Sequence, residues 1–191
     1  PVHLINMWNK AYGREKVGSF LPYLNENAPV FAVPNMNYVD ADELLYELNC
    51  DEIEGEIREG LVQITSSFDL SKCRAFQNGL FHIEDISCYN AVKALGVQEN
   101  DVVLDICSAP GGKAFTAASF MKNRGSIYAL DIHKHRVELI KNGAQRLGLT
   151  SVIPMVNNGM KFNSALPFSD KIICDVPCSG FGIIRRKPEI R

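Results

Sequence analysis

The segment VVLDICSAPGGKAF, residues 102–115, constrains the fold more than any other part of the chain. Its opening residues, 102–106, are mostly apolar and predict a buried parallel strand. Pro110, Gly111 and Gly112 then form a turn, and a helix begins at Lys113 or Ala114. Glycines in such a turn let backbone N–H groups approach a ligand, and the helix dipole favours a carboxylate or phosphate. The segment therefore predicts a ligand cradle, although a glycine pair after a strand also occurs in plain tight turns.

From residue 85 onward, strand patterns alternate with helix patterns. The predicted strands cover residues 102–106, 126–130, 152–156 and 171–174, and the predicted helices cover residues 113–121 and 134–147, after an earlier helix that contains Val92 and Leu95. This rhythm is typical of a doubly wound, Rossmann-like α/β fold with a parallel sheet. Ligands bind such sheets at the carboxyl ends of the strands, where this chain has its polar and glycine-rich segments. We assign residues 85–191 to this domain.

Residues 1–84 have a different organisation. Apolar residues at helical spacing predict two short amphipathic helices in residues 2–25, interrupted near Gly13. A strand is predicted at residues 30–34, Asp40 is placed to cap a helix that follows it, and further strands are predicted around residues 61–64 and 80–83. We expect a small N-terminal α/β subdomain that either binds a ligand or only packs against the domain that follows.

The bulk composition excludes several classes of protein. The 191 residues are 46% hydrophobic, contain no long apolar run and open without a charged-then-apolar leader, so we expect a protein of the cytosol. The formal net charge of −2 excludes a global basic footprint, so any contact with nucleic acid has to be local. The six cysteines form no C-x-x-C pair, which argues against zinc. We expect Cys50, Cys73, Cys88 and Cys174 to be small buried hydrophobes.

Asp131 ends the second predicted strand of the parallel sheet, about twenty residues after the glycine turn. An acidic side chain at that position accepts hydrogen bonds from both ribose hydroxyls of a nucleotide-like cofactor. Alternatively, Asp131 caps the helix that follows. The G-x-G-x-x-G pattern of nicotinamide enzymes is absent, which argues against a dehydrogenase built on the same sheet.

Three strings carry a resemblance to a known family: CSAPGGKAF (107–115), ALDIH (129–133) and DVPCSGFGIIRRKPEIR (175–191). They resemble the Sun/NOL1/NOP2 family of S-adenosylmethionine-dependent RNA cytosine carbon-5 methyltransferases. PVHLINMWNKAYG, GLFHIEDIS and IIRRKPEIR also look like segments of its bacterial members that act on small-subunit ribosomal RNA. The resemblance covers most of the chain and is strongest from Gly79 onward. It implies a Rossmann-like methyltransferase sheet, preceded by a small α/β subdomain that helps to hold RNA.

The resemblance also implies which residues hold the cofactor, S-adenosylmethionine. The turn that wraps its methionine and sugar parts, here named the cofactor turn, consists of Cys107, Ser108, Ala109, Pro110, Gly111, Gly112 and Lys113. Asp131, Asn158 and Asp175 complete the predicted cofactor site. Asn158 stands where the family has an aspartate, and its amide oxygen can still accept from the adenine amino group. Asn157 is an alternative for that role, or both asparagines serve only a turn.

Asp175 and Cys178 are the predicted catalytic residues. Carbon 5 of cytosine is a poor nucleophile, so an enzyme first adds a cysteine thiolate to carbon 6. It then needs an acid or hydrogen-bond partner for ring nitrogen 3 and a base for the carbon-5 proton. Asp175 at the end of a strand, followed by a proline and Cys178, presents both groups at the carboxyl edge of the sheet.

The resemblance changes the role expected of Cys178. In the family, the cysteine after proline assists release of the product, and a second cysteine in a downstream Thr-Cys motif attacks the base. No Thr-Cys pair occurs in these 191 residues. We therefore expect a fragment with a truncated sheet, which lacks the attacking cysteine and is inactive on its own.

Arg185, Arg186 and Lys187 form the one basic cluster next to the predicted catalytic residues. Such a cluster suits RNA phosphates, although charge runs are also typical of solvated faces. Lys113 contacts a phosphate or the target base, or is merely solvated in the first turn of its helix. The predicted partner is RNA, foremost small-subunit ribosomal RNA, with no membrane and no metal. Two other functions stay open: a non-catalytic module that binds the cofactor or RNA, and a small-molecule methyltransferase, which the basic segment argues against.

Overall fold

The computed structural model describes residues 2–187, which form two compact units. One unit consists of residues 2–28 together with residues 177–187, and the other consists of residues 29–176. The last four residues of the predicted 85–191 domain, like Pro1, lie outside the described residues. The predicted domain boundary between residues 84 and 85 stays a prediction. Within residues 2–187, no helix is long and apolar enough to cross a bilayer.

The smaller unit is built from short helical elements. They are α1 (Val2–Tyr12), α2 (Arg14–Phe20) and two 3-10 turns, Pro22–Asn25 and Phe181–Ile183. The two helices are separated at Gly13, as the sequence predicts, and its φ of +86° is a conformation that favours glycine. Leu4, Val17 and Ile184 are buried in this unit.

The larger unit begins with an antiparallel sheet. Its strands are β1 (Val30–Pro34), β2 (Gly55–Arg58), β3 (Leu61–Ile64) and β4 (Phe81–Glu84), in the order β2-β3-β1-β4, and its helices are α3 (Ala41–Cys50) and α4 (Arg74–Gln77). The predicted cap of α3 is confirmed. The Asp40 carboxylate accepts from the Glu43 N–H, and the Glu43 carboxylate accepts from the Asp40 N–H. This reciprocal capping box fixes the start of the helix.

The second part of the larger unit is a parallel sheet. Its strands are β5 (Val102–Asp105), β6 (Ser126–Asp131), β7 (Val152–Val156) and β8 (Lys171–Ile173), in the order β7-β6-β5-β8, and its helices are α5 (Ile86–Leu95), α6 (Gly112–Phe120) and α7 (Lys134–Arg146). One face of α7 buries Val137, Ile140 and Ala144, as their helical spacing predicts. The predicted elements between residues 102 and 174 agree with the observed ones to within one residue.

Two elements of the first sheet have no clear signal in the sequence. β2 has the sequence GEIR, is mostly exposed and pairs with β3 alone. An exposed edge strand buries neither face, so it lacks the alternation of apolar and polar residues that identifies a strand. α4 is a single turn, too short for a helical period to be detected.

The expectation of buried cysteines is wrong at two positions. Cys73 is buried and Cys88 is half-buried, but Cys50 and Cys174 are exposed. Cys50 is the last residue of α3, and Cys174 directly follows the edge strand β8. Residue type favours burial of cysteine only on average, and the position in the fold decides each case.

Asn35 joins the two sheets. Its side-chain amide donates to the carbonyl of Gly79 at 2.9 Å, just before β4, and to the carbonyl of Leu147 at 2.8 Å, at the end of α7. The residue is only 1% exposed. Arg146 reinforces this junction, because its guanidinium donates to the Phe76 carbonyl and stacks 3.6 Å from the centre of the Phe76 ring.

Asn35→Ala should therefore destabilise the larger unit strongly. The substitution leaves two buried carbonyl groups without a donor, which costs about 2–4 kcal/mol of unfolding free energy. Urea denaturation followed by circular dichroism measures this change. Asn49→Ala, on the exposed face of α3, is the matched control and should change stability little. Equal stability of the two variants would contradict the role of Asn35.

Candidate active site

The predicted site residues gather where the carboxyl ends of the parallel strands meet, here named the carboxyl edge. β5 ends at Asp105, β6 ends at Asp131, and Asp175 follows the end of β8 by two residues. Because β5 lies between β6 and β8, the cofactor turn that follows β5 is flanked by both neighbours. Open parallel sheets bind ligands at this edge.

Backbone hydrogen bonds fasten the cofactor turn to the neighbouring strands. The Ile106 N–H donates to the Ile173 carbonyl at 3.0 Å, and the Ser108 N–H donates to the Leu130 carbonyl at 2.8 Å. The Gly111 N–H closes the turn onto the Ser108 carbonyl at 2.7 Å. The position of the turn is thus set by β6 and β8 together.

The residues of the cofactor turn differ in exposure. Ser108, Ala109 and Gly111 are buried, Cys107, Gly112 and Lys113 are half-buried, and Pro110 is exposed. Burial raises the pKa of the Cys107 thiol. Cys107 is therefore a neutral thiol at physiological pH, suited to packing and not to attack.

Protein groups fill the space beside the two glycines of the turn. A Cβ at Gly112 would lie 2.6 Å from a carboxylate oxygen of Glu84. A Cβ at Gly111, whose φ is +116°, would meet the ring of Phe115. The sequence analysis predicts that these glycines leave room for a ligand. In the structure, both positions require glycine because other side chains of this chain occupy the space that a Cβ would need.

Glu84 belongs to a buried polar network that the sequence analysis misses. The Thr116 hydroxyl donates to the Glu84 carboxylate at 2.6 Å, and Nε2 of His82 lies 3.1 Å from the Thr116 hydroxyl oxygen. His82 and Glu84 come from β4, whereas Thr116 comes from α6. One feature of the sequence points to this network: His82 and Glu84 are two residues apart in a strand, so their side chains lie on the same face. The network ties the first sheet to the helix that starts in the cofactor turn.

Lys113 and Asp175 form an ion pair at the carboxyl edge. Nζ of Lys113 lies 2.6 Å from Oδ2 of Asp175. The lysine side chain is 18% exposed and the aspartate side chain 61%. Burial opposes the charge of Lys113, but the hydrogen bond to Asp175 outweighs it and raises the pKa of the lysine. The structure thus brings together one residue of the cofactor turn and one predicted catalytic residue as a charged pair.

Asp105 is buried without a hydrogen-bond partner. It is 1% exposed, and neither of its carboxylate oxygens has a partner within residues 2–187. The Ser108 hydroxyl is also buried and is not in good hydrogen-bonding geometry with any group, but it lies close enough to Asp105 to lower the pKa of that carboxyl, against the effect of burial. Burial raises the pKa of Asp105 to about 6. An unpaired buried carboxylate is costly to a fold, and such groups are typical of functional sites.

Asp131 is buried at the end of β6. Its Oδ1 accepts from the His133 N–H at 2.9 Å, and its Oδ2 lies 3.1 Å from the guanidinium of Arg136. Arg136 also donates to the Ala109 carbonyl at 2.7 Å and so links Asp131 to the cofactor turn. The predicted alternative, a side-chain cap of α7, is not observed, because α7 begins after His133 without a side-chain cap.

The two asparagines after β7 both make local contacts. Oδ1 of Asn158 accepts from the Met160 N–H at 3.0 Å, which is a turn of the kind predicted as the alternative to adenine binding. Oδ1 of Asn157 accepts from the Asn163 side chain at 2.9 Å. A role of Asn158 toward adenine stays a prediction.

The remaining predicted site residues belong to the smaller unit. Cys178 is exposed, and its sulfur accepts from the Gly180 N–H at 3.4 Å. Within this unit, the Arg185 guanidinium pairs with the Glu26 carboxylate at 3.2 Å and donates to the Asn27 carbonyl at 2.7 Å. Arg186 and Lys187 are exposed. Arg185 thus has partners in its own unit, and contact of the three residues with RNA stays a prediction.

The unpaired carboxylate of Asp105 should make the stability of the protein depend on pH. The folded state binds a proton between about pH 4 and pH 6 that the unfolded chain does not bind, so stability falls as pH rises through this range. Asp105→Asn removes the cost of the charge and should stabilise the protein by ~3 kcal/mol at pH 7.5, with a smaller gain at pH 4.5. Chemical denaturation at both values measures it. Asp170→Asn, an exposed control at the other end of β5, should show no such trend, and a gain independent of pH for Asp105→Asn would contradict the argument.

Comparisons with known proteins agree with this fold. A probable ribosomal RNA small subunit methyltransferase B of Bacillus subtilis (strain 168) is 37% identical over 198 residues, which cover 100% of this chain and 44% of that protein. The 28S rRNA (cytosine(4447)-C(5))-methyltransferase of Homo sapiens is 33% identical over 144 residues, covering 75% of this chain and 18% of that protein. The crystal structure of PH0851 superposes with a TM-score of 0.92 at 27% identity, covering 100% of this chain and 44% of that one.

The chain therefore spans less than half the length of these relatives. The family model described as 16S rRNA methyltransferase RsmB/F matches residues 92–191. The Rossmann-like α/β class predicted from the sequence is confirmed, and S-adenosylmethionine, the predicted cofactor, is the cofactor of this family. The chain belongs to the RsmB/F family of rRNA methyltransferases, within the Sun/NOL1/NOP2 group that its motifs resemble.

Proposed function

We propose that this chain carries the cofactor site and part of the catalytic centre of an enzyme that methylates carbon 5 of a cytosine in RNA. The observation that carries the proposal is the Lys113–Asp175 ion pair of 2.6 Å, which stands at the carboxyl edge beside the cofactor turn. S-adenosylmethionine, when bound, supplies a methyl group on a positively charged sulfonium.

The residues of the carboxyl edge fit this cofactor. Asp131 keeps free acceptor capacity, because a carboxylate has about four lone-pair sites and only two contacts to Asp131 are found within the described residues. The buried oxygens of Asp105 and Ser108 lack partners, as expected beside a site that receives a polar ligand. The first turn of α6, which follows the cofactor turn, offers backbone N–H groups that suit the carboxylate of the cofactor's methionine part.

Asp175 is the residue best placed to hold the target base. Its side chain is 61% exposed, and one of its carboxylate oxygens lies 2.6 Å from the ammonium of Lys113. A carboxylate in this position accepts a hydrogen bond from the exocyclic amine of cytosine or from protonated ring nitrogen 3. We assign Lys113 to holding the Asp175 carboxylate in place and to balancing its charge.

Cys178 follows Asp175 by three residues and presents an exposed thiol. The Gly180 N–H donates to its sulfur, which orients the side chain. We assign Cys178 to the release step implied by the family resemblance, in which the carbon-5 proton leaves before the attacking thiolate departs from carbon 6. Attack on carbon 6 is assigned to a cysteine of a Thr-Cys motif, which these 191 residues do not contain.

The distribution of charge supports a local RNA contact. Residues 29–84 carry eleven Asp and Glu against three Lys and Arg, whereas the rest of the chain carries eleven against seventeen. Phosphates are repelled by the first group and attracted by the second. We therefore assign RNA contact to Arg185, Arg186 and Lys187 and not to the first sheet, although the resemblance implies an RNA role for residues 1–84. Small-subunit ribosomal RNA is the proposed substrate.

Asp131→Asn should weaken binding of S-adenosylmethionine by about tenfold to hundredfold, because it removes a charged acceptor from the ribose hydroxyls. Isothermal titration calorimetry of the 191-residue chain measures the dissociation constant. Glu138→Gln, which removes an exposed carboxylate of α7, is the matched control and should bind the cofactor as the parent chain does. An unchanged affinity of Asp131→Asn, or an equal loss in Glu138→Gln, would contradict the ribose assignment.

The 191-residue chain should bind the cofactor without methylating RNA, because it lacks the attacking cysteine of the Thr-Cys motif. Transfer of tritiated methyl groups from S-adenosylmethionine into unmodified ribosomal RNA is the measurement. The expected incorporation is at background, with Cys178→Ser indistinguishable from the parent chain. Incorporation at carbon 5 that disappears in Cys178→Ser would make Cys178 the nucleophile and overturn the assigned roles.

A further inference from the structure

The smaller unit contains an apolar groove that the proposed function does not use. Its volume is about 600 Å³, within the range of about 300–1,000 Å³ that is usual for ligand sites. Two of its lining residues, Leu4 and Ile184, are buried, and Trp8 and Leu21 also line it. Asn25 adds an amide side chain. A concave apolar surface with an aromatic ring and an amide suits an organic ligand and not an ion.

Trp8 provides a fixed aromatic surface in this groove. Its ring meets the Phe20 ring in an edge-to-face contact, with 5.5 Å between the centroids and 72° between the planes. Phe20 does not line the groove, so this contact holds the indole from outside it. Trp8 is half-buried and therefore keeps part of its surface accessible. An aromatic ring held in this way stacks with a flat ligand at little cost in side-chain entropy.

The smaller unit is positively charged, although the whole chain carries a formal charge of −2. The described residues of this unit contain six Lys and Arg against two Asp and Glu. One of the two acids, Glu26, is paired with Arg185 at 3.2 Å, and each member of this pair directly follows a lining residue of the groove in the chain. Arg186 and Lys187, both exposed, come next. The groove is therefore bordered by positive charge.

Single-stranded RNA has both properties that this surface requires. Its unpaired bases offer flat apolar faces and its backbone is anionic, whereas a double helix hides the base faces by stacking. A free phosphate would account for the charge and leave the groove unexplained. An anionic membrane also combines apolar and negative groups, but it binds helices whose apolar side chains protrude into the lipid. Here Leu4 and Ile184 are buried in a concave surface.

We infer that this groove binds an unpaired base of the RNA substrate, stacked on the Trp8 ring, while Arg186 and Lys187 contact the adjoining phosphates. The inference rests on the proposed function, in which RNA is the substrate. Neither Asp175 nor Cys178 lines the groove, so the base that it binds is not the cytosine that receives the methyl group. The groove holds the strand on the protein through a second nucleotide.

The fluorescence of Trp8 tests this contact directly, because Trp8 is the only tryptophan of the 191 residues. Three probes are titrated at low salt: a single-stranded RNA of about twelve nucleotides, an abasic strand with the same number of phosphates, and a duplex of the same sequence. The single strand should quench the fluorescence and bind about tenfold more tightly than the abasic strand, because base stacking is added to the phosphate contacts. The abasic strand and the duplex should leave the fluorescence unchanged.

Trp8→Leu keeps an apolar side chain in the groove and removes the aromatic face. It should bind the single strand about tenfold more weakly, as measured by the anisotropy of end-labelled RNA, and bind the abasic strand within about twofold of the parent chain. Trp8→Phe should keep most of the affinity. Tyr46→Leu removes an aromatic ring that is 68% exposed in the larger unit, and this matched control should bind both strands as the parent chain does. If Trp8→Leu does not fold, the quenching titration and Trp8→Phe decide.

Each outcome decides the inference. Quenching by the single strand alone, with the loss confined to Trp8→Leu, supports it. Equal affinity for the single and abasic strands without quenching would mean that the cations alone hold RNA, and would overturn the inference while the proposed function stands. Quenching by vesicles of phosphatidylglycerol and not by RNA would assign the groove to a membrane and also overturn it. If the parent chain binds neither RNA nor, by calorimetry, S-adenosylmethionine, the proposed function fails together with the inference.

Discussion

Two backbone hydrogen bonds, from Ile106 to Ile173 and from Ser108 to Leu130, hold the segment after β5 against both neighbouring strands. They exist because β5 is central in the parallel sheet, so the chain that leaves it has a strand end on either side. The first bond sets the segment against β8, just before Asp175, and the second sets it against β6, just before Asp131. The segment that leads to Lys113 is thereby fixed relative to the strand ends that precede Asp131 and Asp175.

The first sheet supports the same edge through contacts between β4 and α6. His82 and Glu84 of β4 meet Thr116 of α6, and the Glu84 carboxylate occupies the place that a side chain at Gly112 would need. Asn35 makes a second junction at the far end of α7. Residues 29–84 carry eleven Asp and Glu against three Lys and Arg, and through His82 and Glu84 they contact the helix that carries Lys113.

The aspartates of the carboxyl edge are of two kinds, those with a positively charged partner and one without. Asp131 is balanced by Arg136, and Asp175 is balanced by Lys113. Asp105 has no counterpart, although its burial makes an unpaired charge expensive. Buried carboxylates in this state are typical of functional sites.

The sequence by itself determined the parallel sheet, its element bounds, the capped α3 and the family. Each of these follows from residues that are close together in the sequence. The apolar runs indicate the strands, the spacing of Asp40 and Glu43 indicates the cap of α3, and segments such as CSAPGGKAF indicate the family. The sequence also predicted Lys113, Asp131 and Asp175 as residues of the site. Only the tertiary structure decided that Lys113 pairs with Asp175, that Asn158 closes a turn, and that Glu84 and Thr116 stand behind the cofactor turn.

The state of Asp105 shows the physical reason for this division. In the sequence, Asp105 is simply a residue in a run of apolar strand residues. That run would look the same whether or not the Asp105 carboxylate had a partner in the folded protein. Burial and pairing are set by residues far apart in the chain, such as Lys113, Asp175 and Glu84, and the fold alone brings these together. Local patterns therefore determined where the strands run, whereas long-range packing decided which charges are left uncompensated.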